Sequence, residues 1–316
     1  MIPAMAIYGR PLKSLEEAWN RTARRLEDND PASYLNDGFD EIQVYWAVTQ
    51  MFDSLRPFGF DDPELSTRPF HAFLYNPDIT YRDNAFYTDD TINFTTYSPK
   101  SANMARDNTT IWHELGHGVM DRMMGDHIQL ADTGGLSEGM ADFIAQLVVN
   151  DLTGGLEFPG KHAMRIFNNT GYYLTNEVHD DGEAYGGSMN DLLVSAMARD
   201  GKEGLHKVTD LTMETMRLTR NHPGLTAVDW FEHMLFADEM GREGVRAPGE
   251  LRQMILKALN GRNFNLEGTA PAALVVKNGA DELGSTGPGS RGNPIKVKLD
   301  RSEEHTSELQ SRETIS

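Results

Sequence analysis

Two histidines four residues apart, His113 and His117, with Glu114 beside the first and Glu138 and Asp142 downstream, constrain this chain more than any other feature. On a helix, residues at i and i+4 project from one face. The two imidazoles can therefore share one metal ion, zinc by ligand type, with Glu114 one position beyond the first ligand. The flanking residues support a helix. Asp107, Asn108, Thr109 and Thr110 offer N-caps, and Ile111, Trp112, Leu115, Val119, Met120 and Met123 recur at helical spacing as far as Gly125. After a Gly134-Gly135 breaker, Ser137 is placed to cap a second helix running from Glu138 to Val149. Glu138 and Asp142 then share a face: Glu138 is the expected third ligand, and Asp142 the acceptor for the outward N–H of His113. The alternative three-histidine arrangement needs a His six residues after His117, where this chain has Met123.

These residues resemble the gluzincin metallopeptidases, and within them the fungalysin group more than thermolysin. Three stretches carry the resemblance: Arg106-Asp107-Asn108 leading into His113-Glu114-Leu115-Gly116-His117-Gly118, then Gly134 to Phe143, then Val178-His179-Asp180-Asp181-Gly182-Glu183. The His117–Glu138 loop is nearer the thermolysin length. The resemblance implies a zinc metalloendopeptidase with one catalytic Zn²⁺ on His113, His117 and Glu138, and Glu114 as general base. It also implies that His179 stabilises the transition state, in keeping with the need of a tetrahedral oxyanion for a second donor opposite the metal. By the same resemblance Asn84 and Ala85, on an edge strand, would bind a peptide substrate that adds itself as an extra strand, and Arg165 would contact a substrate carbonyl. Calcium is compatible with the resemblance, at no position the sequence identifies, and an extracellular location is expected although no signal peptide is visible. His127 and His162 match nothing and read as surface residues.

Two other readings of the same motif stay open. A zinc aminopeptidase shares the ligand set but needs acidic residues that capture a free amine, and none is identifiable. A non-catalytic zinc-stabilised binding module would have no use for Glu114, which ligates nothing.

Composition narrows the partners. The chain carries 48 Asp and Glu against 29 Lys and Arg, a net charge of -19, so binding to a nucleic-acid backbone through a basic face is implausible. The absence of cysteine rules out disulfides and Cys ligands. No apolar run is long enough to span a membrane, and nothing in the sequence fixes the oligomeric state.

The expected fold is α+β and two-lobed. Residues 1–118 form an N-terminal α/β lobe ending in the zinc helix, with a helix at Asp40 to Leu55 (apolar at Ile42, Tyr45, Trp46, Val48, Met51 and Phe52) and an antiparallel sheet from Phe70 to Tyr97. Residues 119–265 form a mainly α-helical lobe, including Asp191 to Arg199, Leu211 to Leu218 and Thr226 to Met240. Residues 266–300 read as a Gly- and Pro-rich linker or truncated segment. Residues 301–316 read as a non-native tail, because Arg301 to Ser311 resembles the translation of a sequencing-library adapter.

Overall fold

The computed structural model describes residues 6–8, 39–62, 65, 68–74, 84–95, 104–125, 134–155, 173–174, 177–220, 222, 225–262, 264 and 275–276. The fold is mixed α+β, mostly helical, with a small sheet. Strands β1 (Ala6–Tyr8), β2 (His71–Phe73), β3 (Asn84–Thr88) and β4 (Thr91–Thr95) form one sheet in the order β1-β2-β4-β3. Helices α1 (Phe39–Leu55), α2 (Asn108–Met124), α3 (Gly134–Thr153), α4 (Val178–Asp200), α5 (Lys202–Leu218), α6 (Ala227–Met240) and α7 (Arg252–Gly261) supply most of the rest. A second pair, β5 (Tyr173–Leu174) and β6 (Val275–Val276), is parallel.

The sheet is mixed, where an antiparallel one was expected. β2 runs parallel to both β1 and β4, and only β3 and β4 are antiparallel. The chemistry of the connections decides this. Asp89 and Asp90 both take positive φ, +43° and +60°, and close a two-residue hairpin between β3 and β4; such a turn forces antiparallel neighbours, while longer connections leave the direction free. Among the described residues β3 lies at an edge of the sheet. Asn84 N donates to Thr95 Oγ1 and Asn84 O accepts from it, 2.9 Å each, so the main chain of Asn84 faces β4. By the alternation of an antiparallel ladder, the main-chain groups of Ala85 and Tyr87 face the open edge.

Helix α2 forms where its caps predict. Asp107 Oδ1 accepts from Thr109 N at 3.0 Å and from Thr109 Oγ1 at 2.8 Å, and Gly125 ends the helix at φ +78°. The helix packs on β3 and β4 along one side and on α3 along another. It also touches α1, where Trp112 Nε1 donates to Ala47 O at 2.8 Å. In α1 the buried stripe is Val44, Ala47, Val48, Met51, Phe52 and Leu55. Tyr45 and Trp46 are 48% and 42% exposed, against expectation, because Tyr45 falls at the margin of that stripe and Trp46 on the opposite side of the helix.

Gly134 and Gly135 do not break the chain; they begin α3, and Ser137 sits inside the helix rather than capping it. The glycines serve packing. A Cβ on Gly139 would stand 2.4 Å from Gly182 O and 2.6 Å from Gly186 N, so α3 and α4 touch backbone to backbone there. A Cβ on Gly116 would stand 2.9 Å from Ala141 Cα, which draws α2 onto α3. Each helical glycine costs roughly 0.5–1 kcal/mol relative to alanine, offset here by contact along fully buried residues such as Leu115, Phe143, Ile144 and Leu193, each contributing about 1.5–3 kcal/mol.

The expected helix from Asp191 is the second half of α4, which starts thirteen residues earlier, at Val178. The expected helix from Leu211 likewise starts at Lys202. α6 begins after a capping box of Thr226 and Asp229. Residues 301–316, and 266–300 apart from β6, lie outside the described residues.

Candidate metal centre

The α2–α3 crossing brings His113, His117 and Glu138 together, with one ligand atom of each within 4.8 Å of the others. His113 Nε2 lies 3.2 Å from His117 Nε2 and 3.3 Å from Glu138 Oε2, and His117 Nε2 lies 3.5 Å from Glu138 Oε1. Ligands about 2.0–2.1 Å from a tetrahedral zinc ion are separated from one another by about 3.3 Å. The three donors fit that spacing.

The outward nitrogens are engaged in a way that frees the inward ones. His113 Nδ1 lies 2.6 Å from Asp142 Oδ1, and His117 Nδ1 lies 3.0 Å from Ser137 Oγ. The Asp142 carboxylate accepts the Nδ1 proton of His113 and leaves a lone pair on Nε2, the tautomer a metal requires, and the Ser137 hydroxyl can accept from His117 Nδ1 in the same way. Two imidazole lone pairs and a carboxylate then converge, an arrangement that only a cation stabilises. In the metal-free chain a proton fills that role. Burial of His113 disfavours its charge, but Asp142, Glu138 and Glu114 outweigh burial and push its pKa up to about 10. The planes of the two imidazoles are nearly perpendicular, at 88°.

Asp142 thus stands where its spacing puts it. Glu114, next to His113, is buried. His179 lies in the first turn of α4, with Nε2 3.8 Å from Glu138 Oε2, so a third helix faces the same cluster. Its Nδ1 is 2.6 Å from Glu177 Oε1, and Glu177 caps α4 by accepting from the backbone N–H groups of His179 and Asp180. Burial of Glu177 works against its charge, yet these donors hold its pKa below the ordinary carboxylate value. Ionised, it only accepts, so His179 Nδ1 carries a proton.

Asn84 and Ala85 lie on strand β3, an edge strand among the described residues, which packs on α2; Asn84 is exposed. Arg165, His127 and His162 lie outside the described residues. Sequence reasoning missed Ser137 and Glu177. Ser137 was assigned a cap because a helix start was expected at Glu138. Glu177 has a visible signal, an acidic residue just before the Val178-His179 stretch, but only the start of α4 gives it meaning.

No helix among the described residues is long and apolar enough to cross a membrane. No protein-family model matches this sequence, and no curated protein does. Among solved structures, the chain is similar to the precursor of protealysin, a metalloproteinase from Serratia proteamaculans. The TM-score is 0.57 over 71% of this chain and 78% of that one, at 14% sequence identity. What the two share at that identity is the fold, and the fold of this chain is metalloproteinase-like.

Proposed function

We propose that the protein is a zinc-dependent metalloendopeptidase of gluzincin type, with His113, His117 and Glu138 as ligands and Glu114 as general base. The observation that carries this reading is the convergence of His113 Nε2, His117 Nε2 and the two oxygens of the Glu138 carboxylate at 3.2, 3.3 and 3.5 Å, with Asp142 and Ser137 against the outward ring nitrogens. When bound, zinc supplies Lewis acidity, which lowers the pKa of a water from 15.7 toward about 7 and polarises a carbonyl.

The chain's own residues do the remaining work. Glu114 takes a proton from the attacking water and delivers it to the departing amide nitrogen; its buried carboxylate stands next in sequence to the ligand His113. His179 donates from Nε2 to the oxyanion. Since its Nδ1 proton is held by Glu177, that donation requires the imidazolium form. The peptide adds to the open edge of β3, pairing with the outward main-chain groups of Ala85 and Tyr87, while the exposed Asn84 side chain contacts it from the same strand. Arg165 completes the substrate site in this proposal, at a carbonyl.

A binding module stabilised by zinc is disfavoured because Glu114 and His179 both stand at the cluster without belonging to the ligand triangle. The test is digestion of a peptide library with zinc supplied and with a zinc chelator. Internal cleavage that the chelator abolishes supports the proposal; removal of single N-terminal residues, or no cleavage with zinc bound, overturns it.

A further inference from the structure

Resting on the reading that peptide pairs with β3, we propose that Tyr87, Asp121, Arg122 and Asp90 form a clamp that fixes the substrate-binding edge at a set position against the metal helix, making Tyr87 and Arg122 positioning residues for the peptide main chain. Asp121 and Arg122 follow His117 by four and five residues on α2, so one rigid helix carries both the ligands and the clamp. Tyr87 and Asp90 belong to the β3–β4 hairpin.

Two links join them. Tyr87 Oη donates to Asp121 Oδ2 at 2.7 Å and accepts from Asp90 N at 3.0 Å. Arg122 Nε donates to Asp90 Oδ1 at 2.8 Å, while its Nη1 reaches Leu65 O at 2.8 Å and its Nη2 reaches Pro69 O at 3.2 Å. The guanidinium also lies 3.4 Å from the centre of the Phe70 ring, at cation–π distance. Arg122 thereby holds the turn and the segment leading into β2 at once.

Packing makes the contact close. A Cβ on Gly118 would stand 2.4 Å from Phe70 and 2.9 Å from Tyr87, so the helix surface one residue past His117 is left bare for these two rings. Burial first, and then Asp121, push the pKa of Tyr87 well above its ordinary value, so the hydroxyl remains a donor across the working pH range.

A clamp of this kind has a functional consequence that general stability does not. An edge strand is ordinarily the looser part of a sheet, and a shift of about 1 Å in a bound substrate costs about 100-fold in rate. The main chain of Tyr87 is itself part of the outward ladder, so its side-chain bond sets the position of the groups that meet the peptide.

The test uses the full chain loaded with zinc and three variants, Tyr87→Phe, Asp121→Ala and the acceptor-retaining Asp121→Asn. Hydrogen exchange of the amides in Asn84–Thr88 rises about tenfold in Tyr87→Phe and Asp121→Ala, the loss expected for one hydrogen bond to a charged group, and stays near the parental rate in Asp121→Asn. Exchange within α2 and zinc affinity stay unchanged. For a peptide of about eight residues, kcat/KM falls about tenfold in the first two variants. A blocked dipeptide amide, too short to pair along β3, loses less than about twofold. Unchanged exchange at Asn84–Thr88 in Tyr87→Phe overturns the clamp, and so does an equal loss on long and short substrates. If the zinc-loaded parent cleaves neither substrate, the peptidase reading falls, and the exchange measurement alone decides whether the clamp exists.

Discussion

Lowering the pH from about 8 to about 6 should weaken zinc binding about 100-fold, and the structure supplies the reason. His113 has a carboxylate on each nitrogen, Asp142 Oδ1 at 2.6 Å from Nδ1 and Glu138 Oε2 at 3.3 Å from Nε2. Burial opposes its protonation but loses to these carboxylates, and the pKa is pushed up to about 10. Zinc needs the Nε2 lone pair, so below about pH 10 every binding event expels one proton, worth about tenfold in affinity per pH unit. Competition against a chromophoric chelator, corrected for the chelator's own protonation, measures this as a slope of log Kd near -1. Asp142→Asn, which removes a charge while keeping an acceptor, should flatten it. The stability of the metal-free protein runs the other way. The folded pKa of His113 exceeds its unfolded value of about 6.5, so its contribution is fully present below that pH and is lost as pH rises toward about 10. A slope near zero in the parent between pH 6 and 8 would mean that His113 is neutral before zinc arrives, and would refute the reasoning.

Three further perturbations separate the roles assigned to individual residues. His179→Ala should keep zinc and lose about 10²–10³-fold in turnover with little change in substrate affinity; parental turnover in steady-state assays would remove it from the site. Ser137→Ala should weaken zinc about tenfold or more by releasing His117 Nδ1, read by the same chelator competition, with Ser137→Asn partly restoring affinity; equal affinity in all three proteins would show that His117 is oriented by other contacts. Gly139→Ala forces a methyl to within 2.4 Å of Gly182 O and should cost about 1–3 kcal/mol, lowering the melting temperature by several degrees, and an unchanged melting temperature would show that α3 and α4 can separate without penalty.

The grouping of His113, His117 and Glu138 into a candidate metal centre was legible in the sequence because its logic is local. His113 and His117, like Glu138 and Asp142, need only a helix and a spacing of four, and the run from Asp107 to Thr110 offers the caps from which Asp107 starts α2. What the sequence hid was mostly tertiary. Gly134 and Gly135 read as a break followed by a new start, whereas they begin α3, and the small size of Gly135 and Gly139 serves the α3–α4 contact, which no local pattern reveals. The same misreading turned Ser137 into a cap and concealed its bond to His117. Tyr45 and Trp46 were assigned to the buried face of α1 on hydrophobicity, although Val44, Ala47, Met51 and Leu55 alone satisfy the helical period. Strand direction was not legible either: alternation marks a strand, but the parallel pairing of β2 with both its neighbours depends on where the connections travel. The strand at Asn84 was readable from the alternation of Asn84 to Tyr87 and Asp90 to Tyr97, whereas the positive-φ turn at Asp89 and Asp90 that makes it a hairpin was not.

In the proposed site His113, His117 and Glu138 hold a zinc ion beside which Glu114 moves the protons of peptide hydrolysis. Glu114→Gln tests it most directly, with zinc content and peptide cleavage measured on one preparation. The account predicts about one zinc per chain, a melting temperature near the parental value, and hydrolysis reduced by at least about 10²–10⁴-fold. Cleavage at the parental rate, or loss of the metal from a variant whose three ligands are untouched, would contradict it.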